Sequence, residues 1–351
     1  MLLYLHIPFC DSKCFYCAFN SYTNLFHLKK TYMAALKTQL KKELEEATST
    51  IETVFIGGGT PSCVKASEYQ ELFELIMPYL ASNAEITTEA NPNSATKQWL
   101  EEMFSYGVNR ISFGVQSFND TKLQFLGRAH TAQKAIEAIQ TAQEVGFKRI
   151  NCDLIYGVFN DSFELLKKDI DTITTLPVNH ISAYSLTLEE GTPFFQKNSV
   201  KIDDELLSMD VFEYLEELGF NQYEISNFSK NESSRSRHNI GYWEHKEYLG
   251  IGAGAVGYRQ GKRYYPSKEI EKYIHNPLEY KEEILSLDDI KMEKVLLGFR
   301  CITGVHQELL TSKELQKVQE LVKEKKLVID NNRIINPNYL LADELALYIL
   351  D

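Results

Sequence analysis

The segment CDSKCFYC, residues 10–17, places three cysteines within eight residues near the start of the chain. The spacing of three and then two intervening residues suits a loop that wraps an iron–sulfur cube. A [4Fe–4S] cube takes four ligands, so three cysteines leave one iron open to bind a substrate or a cofactor. Two other interpretations remain open at this point: a zinc site completed by His6 or His27, and three ordinary free thiols.

Length and composition limit the class of protein. The chain has 351 residues, of which 44% are apolar and 12% aromatic, enough to bury one large domain and a smaller C-terminal one. The formal charge of −12 argues against a protein that binds the phosphate backbone of nucleic acids. The other three cysteines are scattered, which is typical of a reducing compartment. We therefore expect a cytoplasmic protein whose membrane contact, if it has any, is peripheral and at the inner face.

Strand and helix patterns alternate about six times along the first 220 residues. This repetition predicts an α/β fold in which a parallel sheet has its helices outside. Six units are too few for a closed eight-fold barrel, so we expect a partial (β/α)6 barrel with its functional groups at the carboxyl ends of the strands. The predicted strands span residues 2–8, 53–58, 84–92, 108–115, 147–157 and 180–188, and the predicted helices span 32–44, 68–80, 99–106, 135–145, 163–176 and 203–218.

The alternation ends after residue 220. A polar segment, 221–237, predicts a loop, and the motif HNIGYW and the glycine-rich YLGIGAGAVGY follow it. The tail has helical spacing, with a hairpin-like pattern before a last helix. We therefore predict three parts: a barrel over 1–225, a connecting region with both motifs over 226–284, and a small helical or winged domain over 285–351.

Several polar or flexible residues lie at the predicted strand ends. The segment GGGTP, residues 57–61, directly follows the second strand, and its glycines allow a ligand to approach the backbone closely. Glu89, Gln116 and Asp153 lie near the ends of the next three strands, and Arg128 is just downstream of the fourth. A glycine turn is usually only a turn, and a lone carboxylate is usually solvated. Together at one rim, these residues predict a ligand site.

The cysteine segment resembles the signature of the radical S-adenosylmethionine (SAM) superfamily, with Tyr16 as the aromatic residue before the last cysteine. The resemblance implies a radical SAM barrel in which Cys10, Cys14 and Cys17 hold a [4Fe–4S] cluster. It also implies that the open iron chelates the amino and carboxylate groups of SAM, and that the reduced cluster can cleave SAM to a 5′-deoxyadenosyl radical. The SAM contacts implied by the resemblance are Tyr4, Tyr16, Gly58, Gly59, Thr60, Glu89, Gln116, Arg128, Asp153 and Val256.

Further segments narrow the resemblance to one branch. The pieces FIGGGTPS, TTEANP, RISFGVQSF, LGRAH, YEISNFS and HNIGYW occur in order after the cysteines. They resemble the oxygen-independent coproporphyrinogen III oxidase-like branch, and within it the HemW-type heme chaperones. The true dehydrogenases of this branch have a further cysteine where this chain has Phe19, and they have an arm before the cluster. Because Cys10 is so near the start, we expect no such arm, and no coproporphyrinogen dehydrogenase activity.

The motif HNIGYW is characteristic of the HemW-type chains. An imidazole can ligate heme iron, which makes His238 the candidate heme ligand. The aromatic residues of the motif suit a porphyrin face, and Arg235 and Arg237 could pair with its propionates. The alternatives are a core aromatic pair with a hydrogen-bonded histidine, and ligation of the iron by Cys301 or another histidine.

The resemblance therefore implies a heme chaperone that binds heme, a [4Fe–4S] cluster and SAM. Its partners would be heme and acceptor hemoproteins, such as respiratory ones at the membrane surface. The cluster and SAM would serve a structural role, a switching role or the formation of a homodimer. One alternative is a radical SAM oxidoreductase that acts on a tetrapyrrole. Another is a radical SAM enzyme that modifies RNA or a peptide, which the acidic composition disfavours.

Overall fold

The computed structural model describes residues 1–202 and 205–351. Six parallel strands lie side by side in chain order, so each predicted βα unit packs beside the previous one. They are β1 (Leu2–Ile7), β2 (Ile51–Gly58), β3 (Leu80–Ala90), β4 (Arg110–Gln116), β5 (Arg149–Tyr156) and β6 (His180–Ser185). All six strands overlap the predicted ones, and the predicted partial barrel is confirmed.

Helices connect the strands and cover the outside of the sheet. They are α1 (Lys29–Glu45), α2 (Gln70–Ile76), α3 (Lys97–Ser105), α4 (Asp120–Phe125), α5 (Ala132–Val145), α6 (Phe163–Thr174) and α7 (Glu205–Glu217). The first two residues of the predicted helix 203–218 lie outside the described residues. Capping matches the sequence signals: Thr96 Oγ1 accepts a hydrogen bond from Trp99 N at 3.2 Å, and Gly146 ends α5 with a φ of 120°. No helix in the described ranges is long and apolar enough to cross a membrane.

Among the described residues, the sheet continues beyond both edges of the six parallel strands and contains twelve strands. Beyond β6 lie β8 (Asn227–Ser229) and β7 (Asn221–Gln222), both antiparallel to their neighbours. Beyond β1 lies the parallel strand β9 (Tyr248–Ile251), and then the antiparallel β10 (Gly257–Arg259), β11 (Lys262–Pro266) and β12 (Tyr280–Ile284). The barrel therefore stays open, and each end of the sheet has its own antiparallel extension.

The prediction of a loop over 221–237 was wrong. This segment contains β7, β8 and the first residue of α8 (Arg237–Trp243), and α9 (Ile270–His275) follows further along the chain. Two-residue and three-residue strands are too short to show an alternating pattern. Their polar residues are also buried, because Asn227 and Ser229 pair against β6 in the interior.

The C-terminal part has its own apolar cluster, formed by residues between Val295 and Ile349. It contains α10 (Leu287–Gly298), β13 (Val305–His306), α11 (Ser312–Lys323), β14 (Val328–Asp330), β15 (Arg333–Ile335) and α12 (Ala342–Leu350). The predicted hairpin before the last helix is present, and Asn331 and Asn332 form its turn with φ values of 46° and 65°. The boundaries predicted between the three parts of the chain stay a prediction.

Candidate functional site

The three clustered cysteines lie on a closed loop at the carboxyl end of β1. Tyr22 N donates to Pro8 O at 2.8 Å, and Cys10 N donates to Tyr22 O at 3.1 Å, which holds the base of the loop together. Cys10 and Cys14 are buried, and Cys17 is half-buried. The sequence therefore fixes the three thiols on one short, closed segment.

The donor set of this loop fits an iron–sulfur cube. Burial raises the pKa of the Cys10 and Cys17 thiols, so bound iron would have to supply the charge that deprotonates them. Within residues 1–202 and 205–351, no three His, Cys, Asp or Glu side chains converge as ligands of a single metal ion. A cube needs no such convergence, because each thiolate binds a different iron. His6 is also engaged elsewhere, since its ring nitrogens bond to Tyr4 Oη at 2.9 Å and Asn20 O at 2.8 Å.

Most of the predicted SAM contacts meet the cysteines in one cavity of about 570 Å³, here called the cofactor cavity. Its volume lies within the range of about 300–1,000 Å³ that small-molecule sites occupy. The three cysteines line it together with eight of the ten predicted contacts: Tyr16, Gly58, Gly59, Thr60, Glu89, Gln116, Arg128 and Asp153. The structure therefore brings these eight residues and the cysteines together, and their contacts with SAM stay a prediction.

The glycines after β2 leave no room for side chains. A Cβ atom on Gly58 would lie 2.3 Å from the ring of His6, and the φ of 108° is one that other residues rarely adopt. A Cβ atom on Gly59 would lie 2.7 Å from Ile7 O. Gly58 N donates to Glu89 Oε2 at 3.0 Å, which fixes that carboxyl group against the backbone.

Arg128 joins the cysteine loop to β4. Its Nη1 donates to Cys14 Sγ at 3.3 Å, and its Nη2 donates to Gly114 O. Its Nε is buried and has no partner among the described residues. Gln116 has a φ of 73°, which is rare for a residue other than glycine and concentrates at functional sites. An unpaired buried donor beside a cavity fits a ligand that accepts a hydrogen bond.

Two carboxyl groups of the cofactor cavity have raised pKa values. Burial raises the pKa of Glu89 to about 8, and the nearby charge of Asp153 adds to this effect. Burial also raises the pKa of Asp153 to about 6, although Asn151 Nδ2 donates to its Oδ1 at 2.6 Å. A bound cation, such as the ammonium group of an amino acid, would favour the ionised form of either group.

The structure separates Tyr4 and Val256 from the other predicted contacts. Both line a neighbouring cavity of about 820 Å³, here called the second cavity. The two cavities share one wall, which the cysteine loop provides through Lys13, Ala18, Phe19 and Ser21. The second cavity is further lined by Tyr22, Tyr242, Trp243, His245, Lys246, Tyr248, Tyr258, Arg263, Lys268 and Glu293.

His238 lines neither cavity. It is 1% exposed, its Nδ1 is 2.7 Å from Thr53 Oγ1, and its ring stacks on Phe55 with centroids 5.1 Å apart. Its backbone N–H donates to Glu85 Oε1 at 3.1 Å. Burial lowers the pKa of the imidazole to about 3, so the ring is neutral. These surroundings are those of a hydrogen-bonded core histidine.

The aromatic residues of the HNIGYW segment and the two arginines that precede it lie in different places. Tyr242 and Trp243 line the second cavity, as suits residues expected to face a porphyrin. The two arginines do not: Arg235 pairs with Glu232 at 3.6 Å, and Arg237 donates to Asn83 O at 2.7 Å.

Residues at the carboxyl end of the sixth strand and just after it also line the cofactor cavity, and the sequence analysis missed them. They lie between Tyr184 and Glu189, at the carboxyl end of β6. The strand-end rule that singled out the earlier residues applies equally to this strand, so the signal was available. No comparable signal marks Lys268 or Glu293, which reach the second cavity from distant parts of the chain.

Comparisons with known proteins agree with this geometry. The family model of the radical SAM superfamily matches residues 4–173. The heme chaperone HemW of Lactococcus lactis is 34% identical over 323 residues, which cover 88% of this chain and 84% of that protein. The chain belongs to the HemW family. A second member, heme chaperone HemW of Escherichia coli, is 38% identical over 73% of this chain and 69% of its own.

Membership of the HemW family confirms the resemblance that the cysteine segment and the later motifs indicated. It also confirms a [4Fe–4S] cluster and SAM as the cofactors of the radical SAM domain. Among solved structures, coproporphyrinogen III oxidase (HemN) from Escherichia coli matches with a TM-score of 0.82, over 99% of this chain and 89% of that one. That match has 20% sequence identity and shows the fold alone.

Proposed function

We propose that this protein is a heme chaperone, which binds heme, a [4Fe–4S] cluster and SAM and delivers heme to acceptor hemoproteins. The observation that carries the proposal is the identity of 34% that spans 84% of a heme chaperone, including the segment that lines the second cavity. A single cavity that unites three thiols with eight predicted SAM contacts supports the cofactor part of the proposal.

Within the cofactor cavity, we assign each group a role that its surroundings support. Cys10, Cys14 and Cys17 would hold three irons of the cube, and the fourth iron would remain open for SAM. The backbone of Gly58 and Gly59 lies beside Glu89, so this corner suits the SAM ammonium group. Arg128, with its unpaired Nε, suits an acceptor such as the SAM carboxylate, and Asp153 suits the ribose hydroxyls. Tyr16, Thr60 and Gln116 complete the wall of the cavity.

The predicted SAM contacts of Tyr4 and Val256 need a ligand that reaches between the two cavities. The wall that the two cavities share is formed by the cysteine loop. The sequence also predicts heme ligation by His238, and the burial of this ring in the core argues against it. Its imidazole would have to leave Thr53 and the core before it could reach iron.

For partners and location, the proposal is a cytoplasmic protein that passes heme to acceptors, including respiratory hemoproteins at the inner face of the membrane. The charge of −12 supports the absence of a nucleic-acid partner. A homodimer remains part of the proposal. A coproporphyrinogen dehydrogenase activity does not, because Phe19 replaces the further cysteine of that enzyme.

The test uses the full chain after anaerobic reconstitution of the cluster. Hemin is titrated in and followed by its Soret band, and the loaded protein is then mixed with an apo-hemoprotein. We expect saturable binding, followed by transfer that restores the acceptor spectrum. In parallel, SAM, dithionite and coproporphyrinogen III should yield no protoporphyrinogen. Failure to bind hemin would overturn the chaperone function, and product formation with turnover would show a catalyst instead.

A further inference from the structure

Seven of the 21 residues that line the second cavity are Tyr, Trp or Phe. Tyr242 and Trp243 come from α8, Tyr248 from β9 and Tyr258 from β10. The rings of Tyr242 and Tyr248 meet edge to face, with centroids 4.8 Å apart. Phe19, on the shared wall, is 68% exposed. Such side chains offer flat apolar faces with polar edges, which suit a large planar ligand.

The charges at this cavity are unbalanced toward the positive. Lys246 is paired with Glu52 at 3.2 Å and Glu244 at 3.3 Å, and Arg263 is paired with Glu283 and Glu293. Two further lysines at the rim are not neutralised in this way.

Those two lysines are Lys13 and Lys268. Lys13 Nζ donates only to backbone oxygens, those of Phe19 and Ser21, at 3.3 and 3.4 Å. Among residues 1–202 and 205–351, no carboxylate forms an ion pair with either lysine. The rim can therefore accept a ligand that carries two negative charges.

From these walls and charges we propose that the second cavity is the heme site, with the macrocycle against Tyr242, Trp243 and Tyr258 and the two propionates at Lys13 and Lys268. The proposal rests on the proposed function, which supplies heme as the cargo. The volume of about 820 Å³ accommodates a ligand of this size. SAM carries a net positive charge, so it matches this rim less well than a dicarboxylate does.

Neither histidine of the cavity presents an accessible ring nitrogen to iron. Both ring nitrogens of His6 are hydrogen-bonded. His245 Nε2 is 2.7 Å from Glu293 Oε2, and its Nδ1 has no hydrogen-bond partner among the described residues but is buried, so the ring would have to turn before this nitrogen could reach iron. The propionates and the ring faces therefore provide most of the binding, and the iron contributes little. Such a site suits a carrier, because the acceptor's own axial ligand can capture the iron without breaking a strong bond.

The test is titration of porphyrins into the cluster-loaded protein. Lys268→Glu should weaken hemin binding by about tenfold or more, the loss expected when one charge-assisted hydrogen bond is replaced by repulsion. Lys281→Glu is the control, because Lys281 is exposed on β12 and lines neither cavity. This substitution changes the net charge of the protein by the same amount as Lys268→Glu. The backbone oxygen of Lys268 accepts bonds from Asn20 Nδ2 and Tyr22 Oη, which the substitution leaves in place.

Two further ligands test separately whether the iron and the propionates contribute to binding. Iron-free protoporphyrin IX should bind wild type within a few-fold of hemin, because the iron contributes little. Hemin dimethyl ester, which lacks both charges, should bind wild type and Lys268→Glu equally. Lys268→Gln should give an intermediate hemin affinity, and it decides the matter if the Glu variant loses its cluster.

The outcomes separate this inference from the proposed function. If wild type, Lys268→Glu and Lys268→Gln all bind hemin with the same affinity, the heme site lies elsewhere. The chaperone function then still stands. The same conclusion follows if removal of the iron abolishes binding. If wild type itself binds no hemin, the proposed function fails first.

Discussion

Arg128 Nη1 lies 3.3 Å from Cys14 Sγ, so a half-buried guanidinium touches one of the three thiols that would hold the cluster. Hydrogen bonds and positive charge at a ligating sulfur favour the reduced, more negative cluster. Replacing Arg128 by Met should therefore lower the reduction potential of the cluster while leaving its iron content intact. A redox titration followed by electron paramagnetic resonance measures this shift. Lys134→Met, on the exposed side of α5, is the control, and an unchanged potential in Arg128→Met would contradict the contact.

The ligand assignment predicts a sharp difference between two neighbouring cysteines. Cys14→Ser should lose the cluster chromophore, with bound iron falling from about four per chain toward zero. Cys63→Ser should keep both, because Cys63 hydrogen-bonds to Asp11 Oδ2 at 3.1 Å and does not line the cofactor cavity. Iron analysis and visible absorption check the pair. A normal [4Fe–4S] spectrum in Cys14→Ser would disprove the assignment.

Glu89 should make the ligand-free protein less stable as the pH rises. Its pKa is about 8 in the folded state, because of burial, and about 4.3 when unfolded, so the unfolded chain ionises first. The contribution of Glu89 to the free energy of unfolding is therefore fully present below about pH 4.3, where both states are protonated. It is lost as the pH rises from there through about 8, because the unfolded chain alone ionises this group in that range. Asp153, with a pKa of about 6, contributes only to the lower part of this window.

Denaturant unfolding between pH 6 and 9 tests the role of Glu89. The Glu89→Gln variant should show a flatter dependence on pH than wild type, and Glu101→Gln, at an exposed position on α3, should follow wild type. SAM affinity of the wild type should also increase with pH in this range, because the ammonium group favours the carboxylate. Equal slopes in Glu89→Gln and wild type would refute the buried-acid assignment.

His238 should behave as a core residue. His238→Ala removes the partner of Thr53 and leaves a void, which should cost about 1–3 kcal/mol of folding stability. His27→Ala, at an exposed position, should cost no more than about 0.5 kcal/mol. Because burial holds the folded pKa near 3, the stabilisation from neutral His238 is present above about pH 6.5 and is lost as the pH falls toward 3. Thermal unfolding between pH 4 and 8 measures both effects.

The same variant decides the heme question. Folded, cluster-loaded His238→Ala should bind hemin with an affinity and Soret maximum close to those of wild type. If the variant is stable and yet loses the Soret change, His238 is an iron ligand and α8 must move on binding.

The sequence was informative where position along a strand determines position in space. Glu89, Gln116 and Asp153 each lie at the carboxyl end of a parallel strand, so chain order alone predicts that they meet at one rim. The partner of Arg237, the backbone oxygen of Asn83, depends instead on how α8 enters the open barrel. Lys13 and Lys268 reach the rim of the second cavity together because β1 pairs with β9, which lies more than 240 residues further along the chain. No local pattern encodes that proximity.

The loop that carries the thiols is also the partition between the two cavities. Lys13, Ala18, Phe19 and Ser21 each face both cavities, so a substitution at any of these positions alters two binding surfaces at once. Effects of such variants on the cofactor cavity and on the second cavity therefore have to be measured together.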